Sequence, residues 1–212
     1  TTTDSEVLAR LIARAPGVTI VDRIRAAMPR MVGAFSLAVL TTDAVYAVRD
    51  ELGVRPLCIG EMDAGSVIAS ESCALMTINA RFVREVEPGE IVKISADGIE
   101  SLGWERGRMP ALCLLELIYF ARPDSEMLGE RLHMMRQNMG RQLAREAPVD
   151  ADVVVGLPDS ATPAAIGFAR ESGIPYSEAL IKNRYIGRTF IQPNQKMRQT
   201  SVKLKFNVLP EV

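Results

Sequence analysis

A short polar turn, Leu157-Pro158-Asp159-Ser160, carries side-chain oxygens that could bind a charged ligand. An apolar run precedes this turn and a helical pattern follows it. In open α/β sheets, ligands bind where a buried strand ends, because the backbone N–H groups of the next helix attract anions such as phosphate. Asp159 and Ser160 could therefore bind a hydroxyl group or a metal there. The alternative interpretation is that both residues only cap the helix.

A basic segment follows this turn in the sequence. Segment 182–201 begins with Lys182, Arg184 and Arg188, although the whole chain has a formal net charge of −1. A mobile loop of this kind could close over a polyanion such as pyrophosphate, because several charge-assisted hydrogen bonds would form together. A solvated basic loop is the alternative. Nucleic-acid binding is disfavoured because only two aromatic residues interleave with the charges.

Charged residues also flank the apolar runs of the first half. They occur as Arg49-Asp50, as Gly53-Val54-Arg55-Pro56-Leu57 and as Ala69-Ser70-Glu71. Ion pairs that fix the loops between strands would explain this pattern. The only histidine, His133, lies in a helical pattern with polar neighbours, which is typical of a surface or hinge residue.

Residues 1–105 predict a helical entry followed by an antiparallel α+β region. Apolar spacing indicates a helix capped by Thr3 or Asp4 and a second helix over 21–28. Strand-like runs follow, separated by turns such as Pro88-Gly89. The expected strands are 34–40, 44–48, 57–60, 66–70, 82–86, 90–95 and 99–102.

Residues 106–150 predict a connecting segment and a long helix, and residues 151–212 predict the start of an α/β domain. The long helix is expected over 130–146, with an apolar stripe formed by Leu132, Met135, Met139 and Leu143. Segment 182–201 shows little regular periodicity. The remaining expected elements are a strand at 153–157 buried on both faces, a helix at 164–171, and strands at 176–181 and 202–208.

Composition excludes several classes of protein. Hydrophobic residues make up 48% and charged residues 24%, as in ordinary soluble globular proteins, and the near-neutral charge attracts neither nucleic acid nor an anionic membrane. The longest apolar run, 112–120, is interrupted by Glu116 and is shorter than the roughly 20 residues of a membrane helix. Three well-separated cysteines argue against a disulfide framework and for a cytoplasmic setting.

Several motifs together resemble a known family. Arg49-Asp50-x-x-Gly-Val-Arg-Pro-Leu57, with 69–71 and Glu87-Pro88-Gly89-Glu90, resembles the second half of class II glutamine amidotransferase domains. Segments 116–125, 157–160 and 182–191 then resemble amidophosphoribosyltransferases, in order along the chain. The resemblance implies an α+β Ntn-type glutaminase sandwich followed by the start of an α/β type I phosphoribosyltransferase domain.

The resemblance also implies the first committed step of de novo purine biosynthesis. In this family, ammonia released from glutamine displaces pyrophosphate from phosphoribosyl pyrophosphate and yields 5-phosphoribosylamine. Purine nucleotides as feedback inhibitors, a homo-oligomer and Mg²⁺ are implied as well.

Residue roles at the two ends of this reaction come from the same resemblance. Asp4 matches the residue that holds the glutamine α-amino group. Asp159 and Ser160 match the pyrophosphate-binding turn, with Ser160 as a magnesium ligand. Cys113 matches a ligand of the [4Fe-4S] cluster that some members carry, although a plain buried cysteine fits this position equally well.

The loop and the ammonia path are matched in the same way. Lys182, Arg184 and Arg188 match a flexible loop that folds over the substrate. An apolar path would keep ammonia from being protonated by water. The positions that match its lining are Tyr119, Phe190 and Ile191.

Two features of the family have no match in this sequence. The glutaminase nucleophile is an N-terminal cysteine, whereas position 1 is Thr1 and the first cysteine is Cys58. The acidic phosphoribosyl-binding loop is also missing, so we expect a chain truncated at both ends and inactive by itself. The alternatives are another class II amidotransferase, a non-catalytic phosphoribosyltransferase-like nucleotide-binding regulator, and a basic-loop binding module without enzymatic activity.

Overall fold

A computed structural model describes residues 3–103, 109–187, 189, 191, 193–210 and 212. The chain divides into two units, Thr1–Glu116 and Leu117–Val212. Among the described residues, no helix is long and apolar enough to cross a membrane.

Two capped helices begin the first unit. Helix α1 (Asp4–Arg14) starts at Thr3, whose hydroxyl accepts a hydrogen bond from the backbone N–H of Glu6. Helix α2 (Ile20–Ala27) starts with a capping box, in which Thr19 and Asp22 satisfy each other's backbone N–H groups. A 3₁₀ turn, Met28–Arg30, follows. Both predicted helices are confirmed.

Among the described residues of the first unit, seven strands form two antiparallel sheets. One sheet has the order β1-β2-β6-β7 and the other β4-β3-β5. The expected strands are confirmed to within two residues at each end. Their bounds are β1 Ser36–Leu40, β2 Ala44–Arg49, β3 Cys58–Met62, β4 Gly65–Ala69, β5 Arg81–Glu85, β6 Ile91–Ser95 and β7 Gly98–Ser101. A short helix that the sequence analysis missed, α3 (Ser72–Thr77), follows β4.

Alternation along the strands produces four layers. On β2, Tyr46 and Val48 pack with Ile24 of α2, whereas Ala47 points to the opposite face and packs with Ile59 of β3. On β3, the neighbouring Cys58 packs instead against Leu75 of α3. The order of layers is therefore helices, sheet, sheet and helix, because successive side chains of a strand point to opposite faces.

The second unit begins with a connecting segment and two helices that pack closely. A π-helical turn, Glu116–Phe120, is followed by the short strands β8 (Glu126–Met127) and β9 (Glu130–Arg131) and by helix α4 (Leu132–Glu146). Helix α5 (Thr162–Ser172) packs against α4. Both helices agree with the sequence-based expectation.

The apolar stripe predicted on α4 is only partly its buried face, because Leu132 is buried and Met135 half-buried but the rest of the stripe is exposed. Met139 and Leu143 are 37% and 53% exposed, whereas Arg136, Gln137 and Gly140 are buried. Glycine faces α5 because the two backbones nearly touch: a Cβ on Gly140 would lie 1.9 Å from the carbonyl oxygen of Ala164. The buried Arg136 donates hydrogen bonds to the carbonyl oxygens of Leu117 and Ala121.

The strand expected at 153–157 is also wrong. Among the described residues this run forms a single parallel bridge, from Val154 to Tyr176, and Leu157 is 61% exposed. A parallel strand is buried on both faces only when neighbouring strands and covering helices surround it, and the described part of the chain supplies one bridging residue. The apolar run alone therefore does not make a buried strand.

The C-terminal segment is more regular than its sequence suggests. Helix α6 (Gln195–Lys205) occupies part of the region expected to be irregular and most of the expected strand 202–208. Asn194 caps α6 through its side chain, and no residue of α6 is buried, so no apolar period marks it in the sequence. The observed strand is shorter than expected and comprises only β11 (Phe206–Val208), which pairs antiparallel with β10 (Leu180–Lys182).

Candidate functional site

The polar turn lies directly before α5. The backbone N–H of Ala161 donates to the carbonyl oxygen of Leu157, which closes the turn. The capping residue of α5 is Ala161, and no side chain caps the helix. The alternative that Asp159 and Ser160 only cap α5 is therefore wrong. The peptide bond between Pro158 and Asp159 is cis.

An ion pair joins this turn to the start of the basic segment. Lys182 Nζ lies 2.5 Å from Asp159 Oδ2, with the Asp159 side chain 74% exposed and that of Lys182 26% exposed. An ion pair with an exposed partner contributes about 1 kcal/mol or less. A ligand that offers either residue several charge-assisted contacts can therefore replace the pair.

The start of the basic segment is held by two hydrogen bonds to Lys205. The N–H of Asn183 donates to the carbonyl oxygen of Lys205, and Lys205 Nζ donates to the carbonyl oxygen of Gly187. Between these anchors, Arg184 is exposed and Tyr185 is 98% exposed. Arg188 and Phe190, which the sequence analysis assigned to the loop and the ammonia path, lie outside the described residues.

The other predicted residues of the ammonia path are exposed. Tyr119 is 61% and Ile191 is 72% exposed. Tyr119 contacts Phe120 edge to face, with ring centroids 5.5 Å apart. Both aromatic residues belong to the π-helical turn that begins at Glu116.

Asp4 is the first residue of α1 and is exposed. Its Oδ1 accepts a hydrogen bond from the N–H of Ser5, 2.8 Å away. Thr3, not Asp4, caps the helix. The Asp4 carboxylate therefore does not cap the helix, so it is available to bind a cationic ligand.

The charged loop of the first unit has a structural role, as predicted. Arg49 is 4% exposed and donates to the carbonyl oxygens of Gly53, Arg55 and Val86. Asp50 is equally buried, and its carboxylate accepts hydrogen bonds from the N–H groups of Leu52 and of Phe35. These two side chains fix the loop that leads from β2 to β3.

One buried carboxylate was not assigned any role from the sequence. Glu116 is 2% exposed, and its Oε1 lies 2.7 Å from Nη1 of Arg55. Burial raises the pKa of the Glu116 carboxyl above its ordinary value, nearby Glu71 adds to the rise, and Arg55 opposes it. The only sequence signal was the position of a glutamate inside the longest apolar run.

The described cysteines do not by themselves make up the four ligands of an iron–sulfur cluster. Cys58 and Cys73 are buried in the first unit, and Cys113 is half-buried. Burial raises the pKa of the Cys58 thiol to about 12, which makes it a poor metal ligand or nucleophile. No group of three or more metal-ligating side chains occurs in the described part of the chain. Four thiolates are needed for such a cluster, so Cys113 could supply one of them and the other three would lie beyond this chain.

The polar turn offers oxygen atoms of the kind that a magnesium ion prefers. Mg²⁺ prefers hard oxygen ligands and is usually bound by one or two carboxylates together with substrate phosphates. Asp159 supplies an exposed carboxylate and Ser160 an adjacent hydroxyl. These two residues could therefore supply part of the ligands of such an ion.

Comparison with known proteins finds relatives that match the chain over its whole length. A family described as glutamine amidotransferase domain matches residues 1–77. Proteins called amidophosphoribosyltransferase from Synechococcus elongatus and Mycobacterium tuberculosis are 50% and 48% identical to the chain over all of its length. The chain spans 44% and 40% of these relatives, so it corresponds to less than half of each.

Solved structures agree with the sequence comparisons. Glutamine phosphoribosylpyrophosphate amidotransferase from B. subtilis, complexed with ADP and GMP, matches with a TM-score of 0.90 and 44% identity. The match covers 100% of this chain and 47% of that one. Over its whole length, the chain is therefore similar to less than half of the length of proteins called amidophosphoribosyltransferase.

Proposed function

We propose that the protein to which this chain belongs converts glutamine, phosphoribosyl pyrophosphate and water to 5-phosphoribosylamine, glutamate and pyrophosphate. This reaction is the first committed step of purine biosynthesis. The identity of 44–50% over the whole chain is the observation that carries the proposal. It also disfavours the other class II amidotransferases and the non-catalytic regulator considered from the sequence.

We propose that the polar turn and the basic segment bind the pyrophosphate group of the substrate. The uncapped N-terminus of α5 offers backbone N–H groups to an anion. Lys182 can leave Asp159 and pair with the pyrophosphate, because the exposed ion pair contributes little. Asp159 and Ser160 would then hold Mg²⁺, which would offset the charge of the leaving pyrophosphate. Arg184 and Arg188 would close over it from the loop.

The glutamine end and the ammonia path are proposed from the same resemblance. Asp4 would accept hydrogen bonds from the α-ammonium group of glutamine, since its exposed carboxylate lies at the start of α1. Tyr119, Phe190 and Ile191 would line an apolar path that excludes water from ammonia. Exposed Tyr119 and Ile191 have apolar surface available for such a lining.

We also propose which fold each part of the chain belongs to. The four layers of the first unit support an Ntn-type glutaminase sandwich, over residues 1–105. Residues 106–150 would connect it to a type I phosphoribosyltransferase domain that starts within 151–212, where α5 follows the polar turn. Purine nucleotides as inhibitors, a homo-oligomer and a cytoplasmic setting complete the proposal. The solved relative bound to ADP and GMP supports the first of these.

The experiment that tests the function uses the full-length protein. 5-Phosphoribosylamine would be measured with glutamine or with ammonium chloride as the nitrogen source. Lys182→Gln should lower transfer from both sources by about 10-fold, a loss of about 1.4 kcal/mol, while glutamine hydrolysis without the second substrate stays normal. Lys203→Gln, on exposed α6, is the matched control. Absence of phosphoribosylamine from either source in the wild type would refute the proposed function.

A further inference from the structure

The buried arginine of α4, Arg136, has no part in the function proposed above. It is 2% exposed. Its Nε lies 2.7 Å from the carbonyl oxygen of Leu117, and its Nη2 lies 2.8 Å from that of Ala121. Desolvation of a buried charge offsets much of its attraction to its partners, so a buried arginine is a weak source of stability. Its contacts therefore point to a role in holding the groups that it binds.

The two carbonyl groups lie on either side of Tyr119 in the sequence. Leu117 comes two residues before Tyr119 and Ala121 two residues after it, and all three belong to the second unit, as does Arg136. The Nε–H and Nη2–H groups leave the same edge of the planar guanidinium, so the two carbonyl oxygens lie side by side at a fixed spacing. Carbonyl groups at the end of a helix often lack a partner within it, and an arginine can supply the missing donors. Arg136 therefore fixes the backbone both before and after Tyr119.

Other contacts hold neighbouring parts of the same segment. The first two N–H groups of α4 donate to carbonyl oxygens within 123–125, which attaches the chain after the π-helical turn to this helix. Glu116 and Phe120, at the ends of the turn, have contacts of their own. What Arg136 adds is a hold on both sides of Tyr119 from one rigid group.

We propose that Arg136 is a positioning residue that sets the place of the Tyr119 ring through the backbone of the π-helical turn. Tyr119 is 61% exposed, so the position of its ring depends more on its backbone than on side chains packed around it. This inference rests on the function proposed above, in which Tyr119 lines the ammonia path. The guanidinium of Arg136 is buried against carbonyl oxygens, so it acts through the turn and does not touch the reacting atoms.

The test is a double-mutant cycle of Arg136→Lys and Tyr119→Ala in the full-length protein. Lysine keeps the positive charge, but its ammonium is a point charge that does not impose the side-by-side geometry of the arginine fork. The ratio of phosphoribosylamine formed to glutamate released should fall at least about 3-fold in each single variant, because a small displacement of a positioning group disturbs a reaction strongly. In the double variant Arg136→Lys should cause no further fall, because its effect passes through the missing ring.

Two further variants separate this role from the fold. Arg145→Lys is the matched control on the same helix: the Arg145 side chain is 60% exposed and pairs with Glu171, so the ratio should not change. Arg136→Gln loses both the charge and the fork, and its ratio should fall at least as far as that of Arg136→Lys. With two variants at Arg136, the test does not depend on one of them folding. In both, transfer from ammonium chloride should stay within about 2-fold of the wild type.

Three results would overturn the inference. The first is an unchanged ratio in both Arg136 variants. The second is a pair of falls that multiply in the double variant, since effects that multiply are independent of each other. The third is an equal fall of transfer from glutamine and from ammonium chloride, which would indicate a general loss of structure. If instead the wild type forms no phosphoribosylamine from either nitrogen source, the proposed function itself is wrong.

Discussion

The interior of the first unit and the interior of the second unit are stabilised by different kinds of contact. In the first unit, alternating strand residues build three apolar clusters, and polar side chains such as Arg49 and Asp50 fix the loops between strands. In the second unit, α4 and α5 approach so closely that the backbone of each meets a glycine of the other. Side-chain patterns can be recognised one element at a time, whereas a backbone contact exists only between two elements. The stability of the first unit should therefore fall most when side-chain groups are removed. The stability of the second unit should fall most when groups are added at the contact between its two helices.

Removal of the Arg49 side chain should cause the largest loss of stability. Arg49→Met leaves the buried carbonyl oxygens of Gly53, Arg55 and Val86 without their guanidinium donor. We expect the free energy of unfolding of the first unit to fall by about 3–5 kcal/mol, as when a buried charged group is removed from its partners. Urea denaturation followed by circular dichroism would measure it.

The control for Arg49 is an exposed arginine on β5, in the other sheet of the same unit. Arg81 is 71% exposed and pairs with Glu61. Arg81→Met should cost no more than about 1 kcal/mol. Equal losses in the two variants would show that loops in the first unit are not fixed by buried side chains.

Addition of one methyl group should disturb the second unit next most strongly. In Gly140→Ala the new Cβ would lie 1.9 Å from the carbonyl oxygen of Ala164, and in Gly167→Ala it would lie 2.0 Å from that of Gln137. The helices must separate, which should lower the free energy of unfolding by about 1–3 kcal/mol. The sign of this change is informative. In a helix with free space at that position, replacing glycine by alanine would raise the stability by up to about 1 kcal/mol. Urea denaturation of each variant would measure the change.

Gly187 provides the matched control in the same unit. A Cβ at Gly187 would meet nothing within 4 Å. Gly187→Ala should therefore be neutral or slightly stabilising. If Gly140→Ala unfolds at the same urea concentration as the wild type, the two helices are not in backbone contact.

The smallest effect should be a change in pH dependence at Glu116. Its pKa in the folded state is raised above the ordinary value of 4.5, chiefly by burial. Its contribution to stability is therefore fully present below that ordinary value and is lost as pH rises through the raised pKa. Glu116→Gln should become more stable relative to wild type as pH increases over this window. Urea denaturation at several pH values would measure this, and a difference that does not vary with pH would contradict the raised pKa.

The sequence predicted the first unit more fully than the second. Its strands alternate, and turn residues such as Pro88-Gly89 separate them, so each element could be recognised from its own residues. Helix α3 was missed because it has six residues and no side-chain cap. On α4, the second half of the expected stripe failed because burial there was decided by α5, which packs over Gly140 instead of over Met139 and Leu143. Helix α6 buries no residue and so left no apolar period to find.

Some residues of the candidate site could likewise be identified from the sequence, and others could be recognised only in the structure. Motif resemblance identified Asp159 and Lys182, and the structure shows that they form an ion pair. Arg188 and Phe190 lie outside the described residues, so their roles stay predictions. Glu116 could be seen only as a glutamate in an apolar run, because its burial and its ion pair with Arg55 depend on a residue about sixty positions away along the chain.

By itself, the sequence determined the resemblance to amidophosphoribosyltransferases, the strands and turns of the first unit, and the residues that could bind an anion. These follow from local patterns, since strand period, turn chemistry and charge spacing are properties of short segments. The tertiary structure alone decided which face of α4 is buried, that 153–157 is not a buried strand, and that Arg55 meets Glu116. Each of these depends on what a distant part of the chain places beside the residue, and no short segment contains that information.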